Sequence, residues 1–219
     1  VAPDSANDPI RRRLRAARAA LGSRDRHDAA RAVGRILARL PEVRRARTIA
    51  FYVAIRGEVD CGPAMAVAWR RRQQVYLPVV RGKHLGFARH DPGWRLGRGR
   101  FGIPVPVSGR TTTRRARALD VVVAPVVAFD ARGHRLGTGG GWYDRTLAFR
   151  RRRPHLRRPF FIGVAYTFQQ VDRLVVHDQD IALDAIVTPR GTRRFTRSTR
   201  DIVACRRQPM HAANVSQVR

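Results

Sequence analysis

Residues 121 to 147 read VVVAPVVAFDARGHRLGTGGGWYDRTL, and the fold turns on how this stretch is parsed. Its front end, from Leu119 to Asp130, is the most continuous apolar run of the chain. Its length suits a strand covered on both faces, as central parallel strands are. Gly137, Gly139, Gly140 and Gly141 follow within five positions, and then Trp142, Tyr143 and Asp144 open a helical pattern that includes Leu147. The order is therefore strand, turn, glycines, helix. Glycines permit backbone conformations closed to other residues and let a ligand approach the main chain. Successive N–H groups in such a loop can form an anion nest, reinforced by the start of the helix. Arg135 and Arg145 bracket the loop with positive charge, and Asp144 could hold a magnesium ion carried on a bound phosphate. On spacing alone, the same residues also suit a plain glycine-rich turn with Tyr143 packed into the core.

Working outward, the spacing predicts helix from 10 to 40, with Leu14, Ala17 and Leu21 on one stripe and Val33, Ile36, Leu37 and Leu40 on the next. Gly22-Ser23 can divide it, and Pro41 ends it. RTIAFYVA, 47 to 54, reads as a strand, which places Glu58 just beyond a strand end. A helix from Gly62 with Pro63 in its first turn follows, then strands at 74–80 and 84–90, the second expected at an edge. Residues 89 to 118 look like a long Gly- and Pro-rich loop. PFFIGVAYT and LDAIVTP supply the last strands. Strands separated by helices predict an α/β domain: a mostly parallel open sheet flanked by helices. A single catalytic domain is expected over 1–190, with 191–219 a basic, mobile tail.

Composition bounds the function. The chain has 219 residues, 43% of them hydrophobic, enough for one core. No apolar run approaches a membrane span, and the N-terminus lacks the apolar segment of a signal peptide. Cys61 and Cys205 match no metal-ligand spacing and need not pair, so a reducing, cytoplasmic setting is expected. Lys plus Arg is 45 against 16 acids, a formal charge of +29, with Lys83 the only lysine. Such a field attracts polyanions. The arginines are spread along the whole chain, so nucleic-acid binding is expected to be incidental. There is no GKS or GKT triplet and the glycine spacing is not the dinucleotide fingerprint, which excludes a Walker A ATPase and a Rossmann dehydrogenase loop.

The glycine stretch resembles the signature of the 5-formyltetrahydrofolate cyclo-ligase family, also called 5,10-methenyltetrahydrofolate synthetases. Pro125, Phe129-Asp130, Gly133, Arg135-Leu136-Gly137, Gly139 to Gly141 and Tyr143-Asp144 carry that resemblance. Further matches are Arg11 with Leu14-Arg15, Tyr52 with Gly57-Glu58-Val59-Asp60, Leu77-Pro78, Phe101-Gly102-Ile103-Pro104, His177-Asp178, and Leu183-Asp184 to Thr188. Together they span about residues 11 to 189. Two departures stand out. Val105 occupies a position where the family usually has an acid, and Arg11, with Arg12 competing for the register, stands where a phosphate-binding lysine is common.

The resemblance implies a NagB/RpiA/CoA transferase-like fold and an ATP- and Mg2+-dependent conversion of 5-formyltetrahydrofolate to 5,10-methenyltetrahydrofolate, releasing ADP and phosphate. It implies a small-molecule substrate, polyglutamylated or not, with no membrane and no obligate protein partner. Arg11, Arg12, Arg15, Arg135, Gly137, Gly139, Gly140, Gly141, Trp142, Tyr143 and Arg145 would form the ATP side, with Asp144 for the metal. Tyr52, Glu58, Phe101, Gly102, Ile103 and Tyr143 would form the folate side, with Trp94 a weaker aromatic candidate. Glu58 and Arg135 would be the catalytic pair, Glu58 ionised by the surrounding cations. Two alternatives follow from the residues alone: a basic nucleic-acid-associated α/β protein, and another nucleotide- or sugar-phosphate-binding enzyme of related fold.

Overall fold

A computed structural model describes residues 5–107, 113–153 and 158–196. The chain opens with α1 (Asp8–Ala19), α2 (Ser23–Arg39) and the short α3 (Pro41–Arg45). Strand β1 (Thr48–Ala50) is shorter than the 47–54 run predicts. After one more bond, from Phe51 N to Tyr76 O, the chain leaves the sheet. Helix α4 (Gly62–Arg70) leads to the hairpin β2 (Gln74–Arg81) and β3 (His84–Arg89). A small ribbon, β4 (Leu96–Arg98) with β5 (Pro104–Pro106), occupies part of the expected loop, and β6 (Thr113–Arg114) pairs with β3. β3 is therefore one strand in from the edge.

The long apolar run splits into β7 (Val121–Pro125) and β8 (Ala128–Phe129), and β8 folds back on β9 (Arg135–Leu136). Helices α5 (Trp142–Leu147) and α6 (Phe149–Arg152), and strands β10 (Phe160–Val164), β11 (Ala185–Thr188) and β12 (Gly191–Arg194), complete the chain. The last strand corrects one expectation. Gly191 to Arg194 were assigned to the tail, yet they pair antiparallel with β11 as the sheet's edge. A polar strand needs no apolar face when its own backbone is its main contact. Residues 197–219, the rest of the expected tail, lie outside the described residues.

The main sheet runs β12-β11-β10-β7-β1-β2-β3-β6. Strands β11, β10, β7, β1 and β2 are parallel; the outer pairings are antiparallel. Val33, Leu37, Val43, Ala64 and Ala68, from α2, α3 and α4, cover one face of the sheet. Leu147, with Ala116 and Leu119, covers the other. The chain steps from β1 to β2 on one side, then returns to β7 on the other side of β1. This reversal separates the loops after β1 and β7 at the carboxyl ends of those strands, the crevice position where ligands of open α/β sheets gather.

Candidate active site

Both predicted half-sites lie at this crevice, because each follows one of the two diverging strands. After β1 the chain turns at Arg56 and Gly57, both with positive φ (51° and 76°). The Tyr52 hydroxyl closes the turn by donating to Val59 O at 2.6 Å, so it is spent within the loop. The turn buries Glu58 to 8% exposure. One carboxylate oxygen accepts from Ile55 N at 3.2 Å, and the other lies 3.9 Å from Arg18 Nη1. This revises the picture of a freely ionised acid. Burial, the largest influence, pushes the Glu58 carboxyl above its usual range, against the pull of the Ile55 N–H and of Arg18, Arg56 and Arg15. Asp60 Oδ1 accepts from Gly62 N at 2.9 Å, a helix-start contact with a structural role.

After β7, the β8–β9 hairpin delivers the glycine loop. Gly139 and Gly141 have φ of 100° and 59°, so those two positions favour glycine; Gly140 does not need it for its φ. A Cβ on Gly140 would instead lie 2.5 Å from the Trp142 indole nitrogen. The loop's carbonyls are taken up by guanidiniums. Arg11 Nε donates to Gly137 O (3.2 Å), Arg15 Nη2 to Thr138 O (2.8 Å) and Arg145 Nη2 to Gly140 O (2.7 Å). Among the described residues, the N–H groups of residues 137 to 141 donate to no backbone carbonyl. The loop thus offers free donors beside three cations. Arg12 is exposed, and it is Arg11 that reaches the loop. α5 has only six residues, so arginines and amides, more than a helix dipole, supply the positive field.

Between the half-sites lies Arg135, its side chain 6% exposed. It donates to Asp144 Oδ1 at 2.6 Å and to Ile181 O, and its guanidinium lies 4.8 Å from the Phe161 ring centre. Asp144 Oδ1 also accepts from Ile181 N at 3.0 Å. Tyr143 stacks on Phe161 at 5.9 Å, and its phenol, raised chiefly by burial, lies within electrostatic reach of Glu58 and Arg135. The Phe101 ring, 61% exposed at the tip of the β4–β5 ribbon, is 5.8 Å from Trp142. Phe101 and Gly102 both have positive φ, and Ile103 is half-buried beside them. Val105 pairs opposite Gly97 in the ribbon, and its side chain closes over Gly99. Trp94, 37% exposed, forms no ring pair with these aromatics.

Residues 4–189 match the 5-formyltetrahydrofolate cyclo-ligase family along most of this architecture. This chain belongs to that family. The Haemophilus influenzae 5-formyltetrahydrofolate cyclo-ligase is 35% identical over 177 residues, covering 80% of this chain and 92% of that protein. The Escherichia coli K12 cyclo-ligase is 38% identical over 152 residues, 68% and 81% of the two chains. The Aquifex aeolicus 5,10-methenyltetrahydrofolate synthetase structure superimposes with a TM-score of 0.73 at 33% identity, covering 88% and 94%. The chain is a cyclo-ligase enzyme of folate one-carbon metabolism.

In this cyclo-ligase, three contributors escaped sequence reasoning. Arg18 is 2% exposed in α1, and its Nε donates to Arg56 O at 3.2 Å. Its signal was position: it follows Leu14 by four on the buried face, whereas Ala17, assigned to that stripe, is exposed. Phe161 looked like one apolar strand residue among several. Gln169 is 1% exposed; its Nε2 donates to Val126 O (2.8 Å) and Val127 O (2.7 Å), while its Oε1 accepts from Tyr166 N (2.8 Å). It holds open the end of β7, and no sequence pattern marks that task. A groove of about 540 Å3 between α2 and α4, rimmed by Arg31, Arg35, Arg39, Arg70 and Arg71, lies apart from this crevice. Among the described residues, no helix is long and apolar enough to cross a membrane, and no group of three His, Cys, Asp or Glu side chains could hold a metal.

Proposed function

We propose that the cyclo-ligase reaction proceeds in this crevice, with ATP phosphates on the glycine loop and the folate between Glu58 and the Phe101–Trp142 pair. The observation that carries this reading is the division of labour in the loop, where Arg11, Arg15 and Arg145 hold carbonyls and leave the amides unbonded. An array of amide donors flanked by guanidiniums fits a polyphosphate. Arg135, fixed by Asp144 and the Phe161 face, is suited to stabilise charge on the transferred phosphoryl group.

A formyl group on N5 is a poor electrophile with a poor leaving oxygen. Transfer of the γ-phosphoryl to that oxygen corrects both. N10 then attacks the formyl carbon, the N10 proton is lost, the C–O bond breaks, and phosphate leaves with the former formyl oxygen. The product is the cationic methenyl folate, and ADP remains. Catalysis needs alignment and charge neutralisation more than covalent help. Glu58 accepts a hydrogen bond from the folate and offsets the growing positive charge.

Mg2+, where bound, would supply charge neutralisation beside the phosphates, and Asp144 is the residue that would hold it. The donor set fits this mode: a lone carboxylate, Asp144, beside a phosphate site, the way Mg2+ commonly sits. Asp144 Oδ1 is committed to Arg135 and Ile181, so Oδ2 is the available ligand atom. We also propose a NagB/RpiA/CoA transferase-like arrangement, supported by the parallel strands reversing at β1, and a cytoplasmic setting, supported by the free buried thiol of Cys61. The scattered arginines support only salt-sensitive, sequence-indifferent nucleic-acid binding.

The test mixes the purified chain with 5-formyltetrahydrofolate, ATP and Mg2+, and follows methenyl absorbance and ADP together. One ADP per methenyl product is expected, with no product when ATP is withheld. Methenyl formation without ADP, or ADP without methenyl, would refute the reading.

A further inference from the structure

Arg18 is unusual among the 45 basic residues of this chain because it is almost completely buried. α1 approaches the Arg56-Gly57 turn so closely that a Cβ on Gly57 would lie 3.0 Å from Arg18 O. The Arg18 guanidinium is tied to the turn through Nε, which donates to Arg56 O at 3.2 Å, and its Nη1 lies 3.9 Å from Glu58 Oε1. At that separation the two groups are an ion pair without a direct hydrogen bond. Both side chains are almost entirely shielded, at 2% and 5% exposure, so the attraction is weakly screened. We propose that Arg18 is a positioning residue: anchored on the Arg56 carbonyl, it keeps the Glu58 carboxylate charged and fixed at the crevice. This rests on the assignment of Glu58 to the folate side.

The surroundings make one cation decisive. Arg15 and Arg18 reach Glu58 from α1, and Arg56 from its own turn. Against them stands burial itself; the hydroxyls of Tyr52, Tyr143 and Tyr166 and the Cys61 thiol, all within electrostatic reach of the carboxyl, are themselves raised and stay neutral beside it. Arg56 and part of Arg15 face solvent, where water screens them, whereas Arg18 does not. Losing Arg18 therefore leaves desolvation opposed by the Ile55 N–H and by two solvent-screened cations, and Glu58 would need a higher pH to ionise.

The experiment is the pH dependence of kcat/KM for methenyl formation at saturating ATP in wild type, Arg18→Gln, Arg18→Lys and Glu58→Gln. For Arg18→Gln the acid limb should move up by about one pH unit, the lower end for losing an opposite charge at this range. Its loss should approach tenfold on the acid side of the limb and recover towards pH 9. Arg18→Lys should fall between Arg18→Gln and wild type. A loss of equal size at every pH, or no loss, would overturn the inference. If Arg18→Gln does not fold, Arg18→Lys decides by the same criterion, a deficit larger at pH 6 than at pH 9. Glu58→Gln keeps the two failures apart: if it turns over normally, the Glu58 assignment falls, and if it is inactive while the Arg18 variants keep the wild-type acid limb, the role of Arg18 alone falls.

Discussion

The glycine loop and the Glu58 turn both hang from carboxyl ends of parallel strands, yet they solve opposite electrostatic problems. The loop residues from Gly137 to Gly140 are exposed, with amides free and carbonyls held by arginines. Glu58 is buried, with its charge disfavoured by its surroundings and hydroxyls and a thiol as neighbours. A surface of free donors suits a highly charged, well-hydrated phosphate chain, which arrives with counter-ions and leaves as product. A buried acid suits a reaction that creates a cation on a flat ring, because a charge in a low-dielectric pocket acts strongly on what develops beside it. On the proposed assignment, the comparison teaches how one crevice would handle a polyanion and a nascent cation, by keeping one wall wet and the other dry.

The sharpest break of this contrast is Glu58→Gln. It keeps shape and removes charge from the dry wall only. Turnover should fall by roughly 10²-fold or more, the scale of one preorganised electrostatic contact, while calorimetric ATP affinity stays within a few-fold. Asp60→Asn is the control, since Asp60 bonds the start of α4. It should lose much less, and a dead Asp60→Asn beside an active Glu58→Gln would exchange their roles.

The wet wall breaks at its glycines. Gly139 has φ of 100° with open space around it, so Gly139→Ala introduces backbone strain alone. A strained residue costs about 1–3 kcal/mol, so ATP should bind about tenfold more weakly while the circular dichroism spectrum is unchanged. Gly140→Val should do at least as much by a different route, through collision with Trp142. Normal ATP affinity in both folded variants would return the loop to a structural turn.

A smaller effect sharpens the dry wall. Burial raises Glu58 in the folded chain above its unfolded value. Below the ordinary glutamate range both states hold the proton; between that range and the raised value only the folded state does. Unfolding then releases a proton, and stability falls as pH rises through this window. Urea midpoints should therefore show Glu58→Gln gaining on wild type as pH climbs above the ordinary glutamate range, with the difference level once the raised value is passed. A gain on acidification instead would show that the cations outweigh burial. Smallest of all is Phe101→Ala. With its ring 61% exposed, it should change stability by less than about 0.5 kcal/mol. A raised folate KM with kcat nearly kept is the expected kinetic mark.

Much of this was legible because periodicity and glycine chemistry are local. The parallel core strands, the helix starting with Gly62-Pro63 and the loop's place after a buried strand follow from such patterns. What could not be read was pairing. β12 has no apolar face to announce it and exists because β11 offers an edge. The proposed site residues converge in space, but burial works against the charge simply expected for Glu58, and that burial depends on how α1 packs over a turn about forty residues away. Among so many arginines, only the fold distinguishes Arg18, enclosed, from Arg12, in solvent.

The amide of Gln169 has a consequence for how this chain can vary through descent. It presents two N–H bonds to consecutive carbonyls where β7 leaves its neighbour, and one oxygen to Tyr166 N. Glutamate would face those carbonyls with no donor, asparagine is one carbon short, and an apolar side chain would leave three main-chain groups unbonded in a dry place. Replacing this one amide would release three main-chain groups just beyond β7, beside the proposed site. A residue that need never meet the substrate thereby fixes the path of the chain that carries the site.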